Sequence, residues 1–428
     1  MNGRERVLRI LNRQPVDRPA FDLGGTDCSG IHVLAYARLR QYLGLPEKPI
    51  RCGCLSQLVA VPDADFLDLL GVDAEALWFG SRETKVWETP FGIKLVVPQA
   101  FAVEDLPDGS SVVRNPRGAV YARRAANAYY FDAAAPPLAH VKSAGDLEQF
   151  HDLFQRWDYS YVYDEPIDVL AERARRQYRS TGRAVVALWR MHYLQAGQIL
   201  RGFEQFFIDL MSDRHLAHAF LGRLHRVYIE RVDAFMKAFG DSIDAVFLTD
   251  DLGTQQSALI SPSLYREMLF PYISELVGRI KAAGKKVIMH SCGSVKQFIP
   301  LLIEMGVDAL NPVQVSAQGM NPRDLVRQYG RDIAFWGGGC DTQHAMNAGD
   351  PEVVRAEVRR RLDEFGPDAH LVFTQVHNIQ YDVPPENVWA LWDEFRKQTA
   401  AGQGHRKASA ETSVAFCSDG TCRNKEKS

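Results

Sequence analysis

Short apolar runs alternate with amphipathic segments along the second half of the chain. Six runs have the length and near-continuous hydrophobicity of buried strands: 184–189, 244–249, 286–291, 308–313, 333–338 and 371–376. Segments with helical spacing of apolar residues separate most of them, namely 262–283, 295–305, 322–329 and 351–365. Short buried strands that alternate with helices predict a parallel sheet that is covered on both faces.

A doubly wound sheet and a (β/α)8 barrel both fit that alternation. The barrel is favoured because polar or reactive residues follow nearly every predicted strand, and barrel enzymes keep their active sites at the carboxyl ends of the strands. These residues are Asp250, Asp251, His290, Cys292, Asn311, Cys340, Asp341, His377 and Asn378. No G-x-G-x-x-G or Walker motif opens a helix, which counts against a nucleotide-binding doubly wound sheet.

The amino-terminal part of the chain adds further helices and hairpins. Residues 4–13 and 31–44 have the periodicity of amphipathic helices, and the intervening PAFDLGG predicts a short strand that enters a glycine turn. Between about 84 and 125, apolar and polar residues alternate around Pro-Phe-Gly and Asn-Pro-Arg-Gly turns, which predicts an insertion of β-hairpins. We expect one barrel domain over residues 1–400, and a disordered tail over the polar segment 401–428.

Composition narrows the functional class. The chain has 428 residues and a formal net charge of -3 without a long basic run, so nucleic acid is not expected as a partner. No apolar stretch is long enough to span a membrane, and charges interrupt the amino terminus too often for a signal peptide, so a cytoplasmic location is expected. Seven cysteines in a chain of this length do not indicate a disulfide framework.

One histidine and two of the cysteines form a candidate metal site. His290 and Cys292 lie two residues apart at the end of a predicted strand, and Cys340 follows another strand in the stretch FWGGGCDTQ. Zinc binds thiolate sulfur and imidazole nitrogen, and catalytic zinc sites use three protein ligands and one open position. The alternative is a core histidine with two buried thiols, but three glycines before Cys340 are an unusual choice for packing alone.

Carboxylates and a second histidine could complete such a site. Asp250 and Asp251 end a predicted strand, where either could be a fourth metal ligand, a general base or a residue that orients the ligands. Their alternative roles are a helix cap and a solvated charge. His377 follows the last predicted strand, and this position makes it a candidate site residue.

Several segments of the sequence resemble one enzyme superfamily. RERVLRILNRQPVDRPAF, TDDLGTQQSALISPSLYREMLFPY, MHSCGSVKQFIPLLIEMGVDALNPVQ, FWGGGCDTQ and VHNIQYDVPPENVWALWDE are similar to the uroporphyrinogen decarboxylase superfamily, and within it to the zinc-dependent methyltransferases that use methylated corrinoid proteins. The resemblance implies a (β/α)8 barrel with its site at the strand ends. It also implies that His290, Cys292 and Cys340 match the H-x-C…C zinc motif of the methyltransferase branch.

The sequence departs from the decarboxylases themselves. Those enzymes open with an Arg-Gln-Ala-Gly-Arg-Tyr signature that holds the acidic side chains of the substrate, whereas this chain has FDLGGTDCSGIH and no arginine between Arg18 and Arg38. A substrate with many carboxylates needs such cations. His377 and Asp341 do match residues of the decarboxylases, so common ancestry with changed chemistry is expected.

The resemblance leads to a specific functional expectation. Zinc would bind a thiol substrate as its thiolate, Asp250 or Asp251 would fill the fourth position at rest, and Asp341 and His377 would orient substrate or ligands. The methyl donor would be a methylcorrinoid on a separate protein, since this chain has no D-x-H-x-x-G corrinoid motif. Two alternatives remain: decarboxylation of a tetrapyrrole, and a purely structural zinc site that Cys52 or Cys54 completes.

Overall fold

The computed structural model describes residues 1–115, 118–156 and 162–400. The tail that the sequence predicts over residues 401–428 lies outside these described residues. None of the described helices combines the length and the apolar character that are needed to cross a lipid bilayer.

The described elements follow the alternation that the sequence predicts. Strands are β1 (Ala20–Phe21), β2 (Ile50–Cys54), β3 (Val59–Ala60), β4 (Ala74–Leu77), β5 (Thr84–Glu88), β6 (Lys94–Pro98), β7 (Ala102–Asp105), β8 (Ser111–Arg114), β9 (Val120–Arg124), β10 (Asp132–Ala133), β11 (Ala184–Leu188), β12 (Ala245–Thr249), β13 (Lys286–His290), β14 (Ala309–Asn311), β15 (Ala334–Trp336) and β16 (Leu371–Phe373). Helices are α1 (Gly3–Leu11), α2 (Val33–Tyr42), α3 (Ala64–Leu70), α4 (His151–Arg156), α5 (Ile167–Ser180), α6 (Leu194–Arg201), α7 (Phe203–Ser212), α8 (Arg214–Phe239), α9 (Pro262–Met268), α10 (Phe270–Ala282), α11 (Ile299–Met305), α12 (Pro322–Tyr329) and α13 (Pro351–Phe365), and a last helix covers 385–400.

Eight strands form one parallel sheet that is nearly closed into a barrel. Their order is β4, β11, β12, β13, β14, β15, β16 and β1. The two end strands approach each other where the backbone N–H of Asp73 donates to the carbonyl of Phe21 at 2.8 Å. The predicted (β/α)8 barrel is therefore confirmed, and each of the six predicted strand runs contains one observed strand.

The barrel interior follows from the two-residue period of the strands. Alternate residues such as Val186, Phe247, Ile288 and Trp336 belong to one buried cluster, which also contains Val7 of α1 and so extends to the helix at the amino-terminal end. The intervening strand residues pack outward against the helices. This alternation directs the last residue of each strand, where it is polar, into the mouth of the barrel.

Two sheets outside the barrel account for the hairpin pattern. Strands β5 and β6 pair antiparallel, as do β7, β8 and β9, within four-stranded sheets of order β3-β2-β6-β5 and β10-β9-β8-β7. The segment from 84 to 125 thus forms the β-hairpins that its sequence predicts. It lies on one side of the barrel mouth, since Tyr121 of β9 lines the same cavity as His290 of β13.

One predicted helix is divided in two. The span 262–283 forms α9 and α10, which are separated at Leu269. Pro271 lies in the first turn of α10, where its missing N–H costs no intrahelical hydrogen bond, whereas the same residue inside a continuous helix would break one.

Candidate metal centre at the mouth of the barrel

His290 is the last residue of β13, and its ring is fixed by a neighbouring strand. Its Nδ1 lies 2.6 Å from Oδ1 of Asn311, and Nδ2 of Asn311 donates to the carbonyl of Trp336 at 2.9 Å. Because that second bond fixes which end of the amide is the oxygen, Nδ1 of His290 must donate its proton to Asn311. The lone pair is therefore on Nε2, which is the tautomer of a metal-binding histidine with an oriented second nitrogen.

Three side chains converge on Nε2 of His290. Sγ of Cys292 is 3.3 Å away, Oδ1 of Asp251 is 3.5 Å away and Sγ of Cys28 is 3.7 Å away. The ligand atoms of Asp251, His290 and Cys292 all lie within 4.8 Å of one another, and the same holds for those of Cys28, His290 and His377. Thiol, imidazole and carboxylate groups thus share one location, as a site for a soft divalent metal requires.

The loops after β12 and β13 hold two of these donors together. Oδ1 of Asp251 accepts a hydrogen bond from the backbone N–H of Cys292 at 2.9 Å, which ties the two loops at the site itself. Gly293 has a φ of +90°, and a Cβ there would lie 2.4 Å from the carbonyl carbon of Gly253. Only glycine allows this close approach of the two backbones, so the sequence SCGS supplies both a ligand and the turn that places it.

His377 contacts the ring of His290. The two rings are edge-to-face with centroids 5.6 Å apart, and Nδ1 of His377 is hydrogen bonded to the side chain of Asn378. Burial, followed by the proximity of His290, lowers the pKa of His377. A neutral imidazole at this position can bind a metal or accept a proton.

Burial also keeps the thiols protonated when no cation is present. Burial raises the pKa of Cys28 well above the ordinary value, and the charge of Asp27 adds to this rise. Burial also raises the pKa of Cys292, and there the charge of Asp251 adds to the rise. A bound divalent cation would reverse this effect, since a coordinating thiol is deprotonated outright. The donor set therefore fits a metal better than it fits a free reactive thiolate.

A cavity of about 350 Å³ opens onto these residues. Its walls come from the loops at the barrel mouth and from the hairpin sheets, and they consist of Asp27, Cys28, Cys54, Ser56, Gln57, Tyr121, Phe131, Asp132, Ala133, Arg190, His192, Gln195, Ile199, Thr249, Asp251, His290 and His377. This volume is at the small end of the range for ligand pockets. The cavity is the space in which a substrate could reach the metal donors.

Arg190 and Asp27 form an ion pair in the cavity wall. Nε of Arg190 donates to Oδ2 of Asp27 at 2.8 Å. Burial alone would raise the pKa of Asp27, but Arg190 and then His290 stabilise the charged form, and the net effect is a lowered pKa. Arg190 has a φ of +35°, which is uncommon for a residue with a long side chain and marks a locally strained backbone.

The structure places Asp250 in a different role from Asp251. Its carboxylate accepts hydrogen bonds from the backbone N–H groups of Tyr193, Leu194 and Gln195 at 2.9–3.0 Å, at the start of α6. Burial raises the pKa of Asp250 to about 7, although these three bonds oppose the rise. Both oxygens are occupied by amides, so the contacts of Asp250 are those of a helix cap, and Asp251 is the member of the pair beside His290.

Cys340 and Asp341 are not members of either donor group among the described residues. Cys340 is fully buried in the cluster that includes the outward-facing strand residues. Burial raises the pKa of its thiol, Glu357 and Asp341 add to the rise, and Arg361 opposes it. Asp341 accepts from the backbone N–H of Gln343 at 2.8 Å and faces Nδ1 of His344 at 2.7 Å. Among the described residues, neither joins the metal-donor groups, and their predicted roles as ligand and orienting residue stay predictions.

Sequence reasoning missed two residues of the site. Cys28 lies in the loop after β1, beside the glycine turn that the sequence does predict, and the one histidine near it in the chain, His32, caps α2 instead. Arg190 follows β11, and its position directly after a predicted strand was the available signal. Cys54 lines the cavity with its thiol 3.4 Å from Oγ of Ser56, but within the described chain neither it nor Cys52 belongs to a donor group.

The fold and the site together define a (β/α)8 barrel with a candidate metal centre at the carboxyl ends of its strands. The family model described as "Uroporphyrinogen decarboxylase (URO-D)" matches residues 131–398, which is more than half of the chain. The chain therefore belongs to the uroporphyrinogen decarboxylase family, and the family resemblance that its motifs indicate is confirmed.

Curated relatives are distant in sequence. The uroporphyrinogen decarboxylase of Coxiella burnetii is 25% identical over 393 residues, which cover 90% of this chain and 93% of that protein. That of Thioalkalivibrio sulfidiphilus is 26% identical over 211 residues, so this match covers 48% of the chain and only 55% of the relative. Among solved structures, a methyltransferase from Methanosarcina mazei superposes with a TM-score of 0.56 and 15% identity, covering 93% of this chain and 99% of that one. That likeness shows a shared fold.

Proposed function

We propose that this protein is a zinc-dependent methyltransferase that moves a methyl group from a methylated corrinoid, carried by a separate protein, to a thiol. The observation that supports it is the convergence of Cys292, Asp251 and Cys28 on Nε2 of His290. The fold shared with the Methanosarcina mazei protein, which is named a methyltransferase, agrees with this proposal.

The residues present fit zinc. Thiol, imidazole and carboxylate are the ligand types that zinc takes, and His290 has the outer partner, Asn311, that metal-bound histidines normally have. His290 and Cys292 would hold the ion, with Asp251 at the position that a substrate replaces. Oδ1 of Asp251, the oxygen nearest Nε2 of His290, also accepts from the N–H of Cys292, so the carboxylate would keep a hydrogen-bond partner in the site when a substrate displaces it from the metal.

A bound zinc ion would lower the pKa of a substrate thiol, which provides a thiolate nucleophile at neutral pH. The protein contributes the position of the reacting groups. Asn311 keeps Nε2 of His290 directed at the cavity, and the neutral His377 beside it can accept the thiol proton. Asp341 belongs to neither donor group among the described residues, so we assign the orienting role to His377.

Decarboxylation of a tetrapyrrole is the second candidate, because the family and its curated relatives have that name. The cavity argues against it. Within the described lining, Arg190 is the one permanently cationic side chain, it is already paired with Asp27, and Asp132 and Asp251 add negative charge. A substrate that bears many carboxylates would meet repulsion with little compensation.

The test is methyl transfer from methylcobalamin, as a surrogate donor, to a series of thiols. The zinc-loaded protein should demethylate the corrinoid and release a thioether, and Cys292→Ala should abolish both. Cys52→Ala is the control, since Cys52 is a buried cysteine whose thiol donates to the carbonyl of Cys54 and is not among the described residues that line the cavity. Conversion of uroporphyrinogen to coproporphyrinogen at an enzymatic rate, without thioether formation, would contradict the proposal and favour the decarboxylase.

A further inference from the structure

We propose that Cys28, in the loop after β1, is the second thiol ligand of the metal, in the position that sequence motifs assign to Cys340. This inference rests on the zinc site of the proposed function. The two thiol ligands would then come from the loops after β1 and β13, and not from the loops after β13 and β15.

The separations from Nε2 of His290 to the other three donor atoms are close to those of a tetrahedral shell, although the thiol of Cys28 is grouped within 4.8 Å with His290 and His377 and not with Asp251 and Cys292. Zinc with a Zn–S bond of about 2.3 Å and a Zn–N bond of about 2.05 Å separates sulfur from nitrogen by about 3.6 Å at the tetrahedral angle. Nε2 of His290 lies 3.3 Å from Sγ of Cys292 and 3.7 Å from Sγ of Cys28. The carboxylate of Asp251 is 3.5 Å away, close to the separation of about 3.4 Å that the same geometry gives for oxygen and nitrogen.

The loop that bears Cys28 is held in one conformation by its own hydrogen bonds. The N–H of Thr26 donates to Oγ of Ser29, and the N–H of Ser29 donates to Oγ1 of Thr26, both at 2.9 Å. Oδ1 of Asp22 accepts from the N–H of Gly25 at 2.6 Å. A ligand on such a loop requires little ordering when the metal binds, since the loop geometry exists beforehand.

A second anchor reaches the loop from β11. Arg190 donates to Asp27, the residue directly before Cys28, and the other oxygen of Asp27 lies 3.6 Å from Sγ of Cys28. Arg190 therefore ties this loop to the end of β11. The strained backbone of Arg190 would then have a function, which is to hold Asp27 and, through Asp27, Cys28.

Cys340 has different surroundings. Its backbone carbonyl accepts from the N–H of Val376, while its side chain belongs to the layer between the barrel and α13, near Glu357 and Arg361 of that helix. A ligand role would require the thiol to pass from the outer face of the sheet to the mouth of the barrel.

Metal affinity and cobalt substitution test this inference without an activity assay. Wild type, Cys28→Ser, Cys340→Ser and Cys54→Ser are loaded with zinc for chelator competition, and with Co²⁺ for the thiolate-to-cobalt charge-transfer band. Cys54→Ser is the matched control, because Cys54 lines the same cavity but belongs to no donor group among the described residues. Circular dichroism and Tm verify that each variant is folded.

For Cys28→Ser we expect the charge-transfer band to fall by about half, from two thiolates to one. Its zinc affinity should fall by more than the roughly 10–100-fold that loss of an outer partner causes. Cys340→Ser and Cys54→Ser should match wild type in both measurements. A full band in Cys28→Ser, or a halved band in Cys340→Ser, would overturn the inference while the zinc site stands. Wild-type protein that binds neither metal would instead overturn the proposed function.

Discussion

Replacement of Asn311 by alanine tests how the site orients its histidine. The substitution removes the acceptor 2.6 Å from Nδ1 of His290, so the ring can rotate and adopt the other tautomer, with the proton on the nitrogen that should face the metal. It also leaves the carbonyl of Trp336 without the donor that Asn311 supplies. We expect zinc affinity to fall while the protein stays folded.

The magnitude follows from the kind of contact that is lost. Outer-shell partners of metal-bound histidines contribute about 10–100-fold to affinity, or about 1.4–2.8 kcal/mol. Loss of a partner for a buried carbonyl costs about 1–3 kcal/mol of folding free energy in addition. The two effects are separable, because the first appears in metal binding and the second in denaturation of the metal-free protein.

The assay is competition for zinc with a chelator of known affinity, with urea denaturation of the metal-free protein beside it. Asn387→Ala is the control: Asn387 is as buried as Asn311 and donates to the carbonyls of Met346 and Ala348, away from the metal donors. It should lose similar stability and no zinc affinity. If Asn311→Ala binds zinc within twofold of wild type, or if Asn387→Ala loses affinity equally, the orienting role of Asn311 is refuted.

Two further predictions concern buried carboxylates. Burial raises the pKa of Asp22 from 3.8 to about 6, so the folded protein keeps a proton there that the unfolded chain has lost. Wild type should therefore lose about 3 kcal/mol relative to Asp22→Asn as the pH rises from about 3.5 to 7, and parallel urea curves across that range would contradict this. Asp250→Ala removes the acceptor of three amides at the start of α6 and should cost at least about 2 kcal/mol of unfolding free energy, whereas an unchanged urea midpoint would show that the cap is dispensable.

Strands β11 to β16 of the barrel were predictable because each is a short apolar run next to a clear helix. The run 184–189, for example, contains β11 with one residue of difference. Strand β4 escaped detection because Glu75 divides its four residues. The hydrogen bond that Asp73 makes with Phe21 of β1 is a tertiary contact, and no local pattern in the sequence predicts it.

The candidate site was predictable only for residues at the ends of strands that are neighbours both in the sequence and in the sheet. His290 and Cys292 share one strand end, and Asp251 follows the adjacent strand, so their convergence follows from the parallel sheet. Cys28 comes to the same place from the first strand, which no spacing indicates. The sequence also leaves the roles of Asp250 and Asp251 interchangeable, and their distinction depends on the position of the α6 amino terminus relative to β12.

The central claim, that a metal at His290 and Cys292 activates a substrate thiol, is tested most directly by zinc-edge X-ray absorption with and without a candidate thiol. Without thiol, the spectrum should show two sulfurs with one nitrogen and one oxygen, from Cys28, Cys292, His290 and Asp251. Addition of a substrate thiol should replace the oxygen with a third sulfur at about 2.3 Å. A zinc shell that no thiol alters, in protein that transfers no methyl group, would contradict the account.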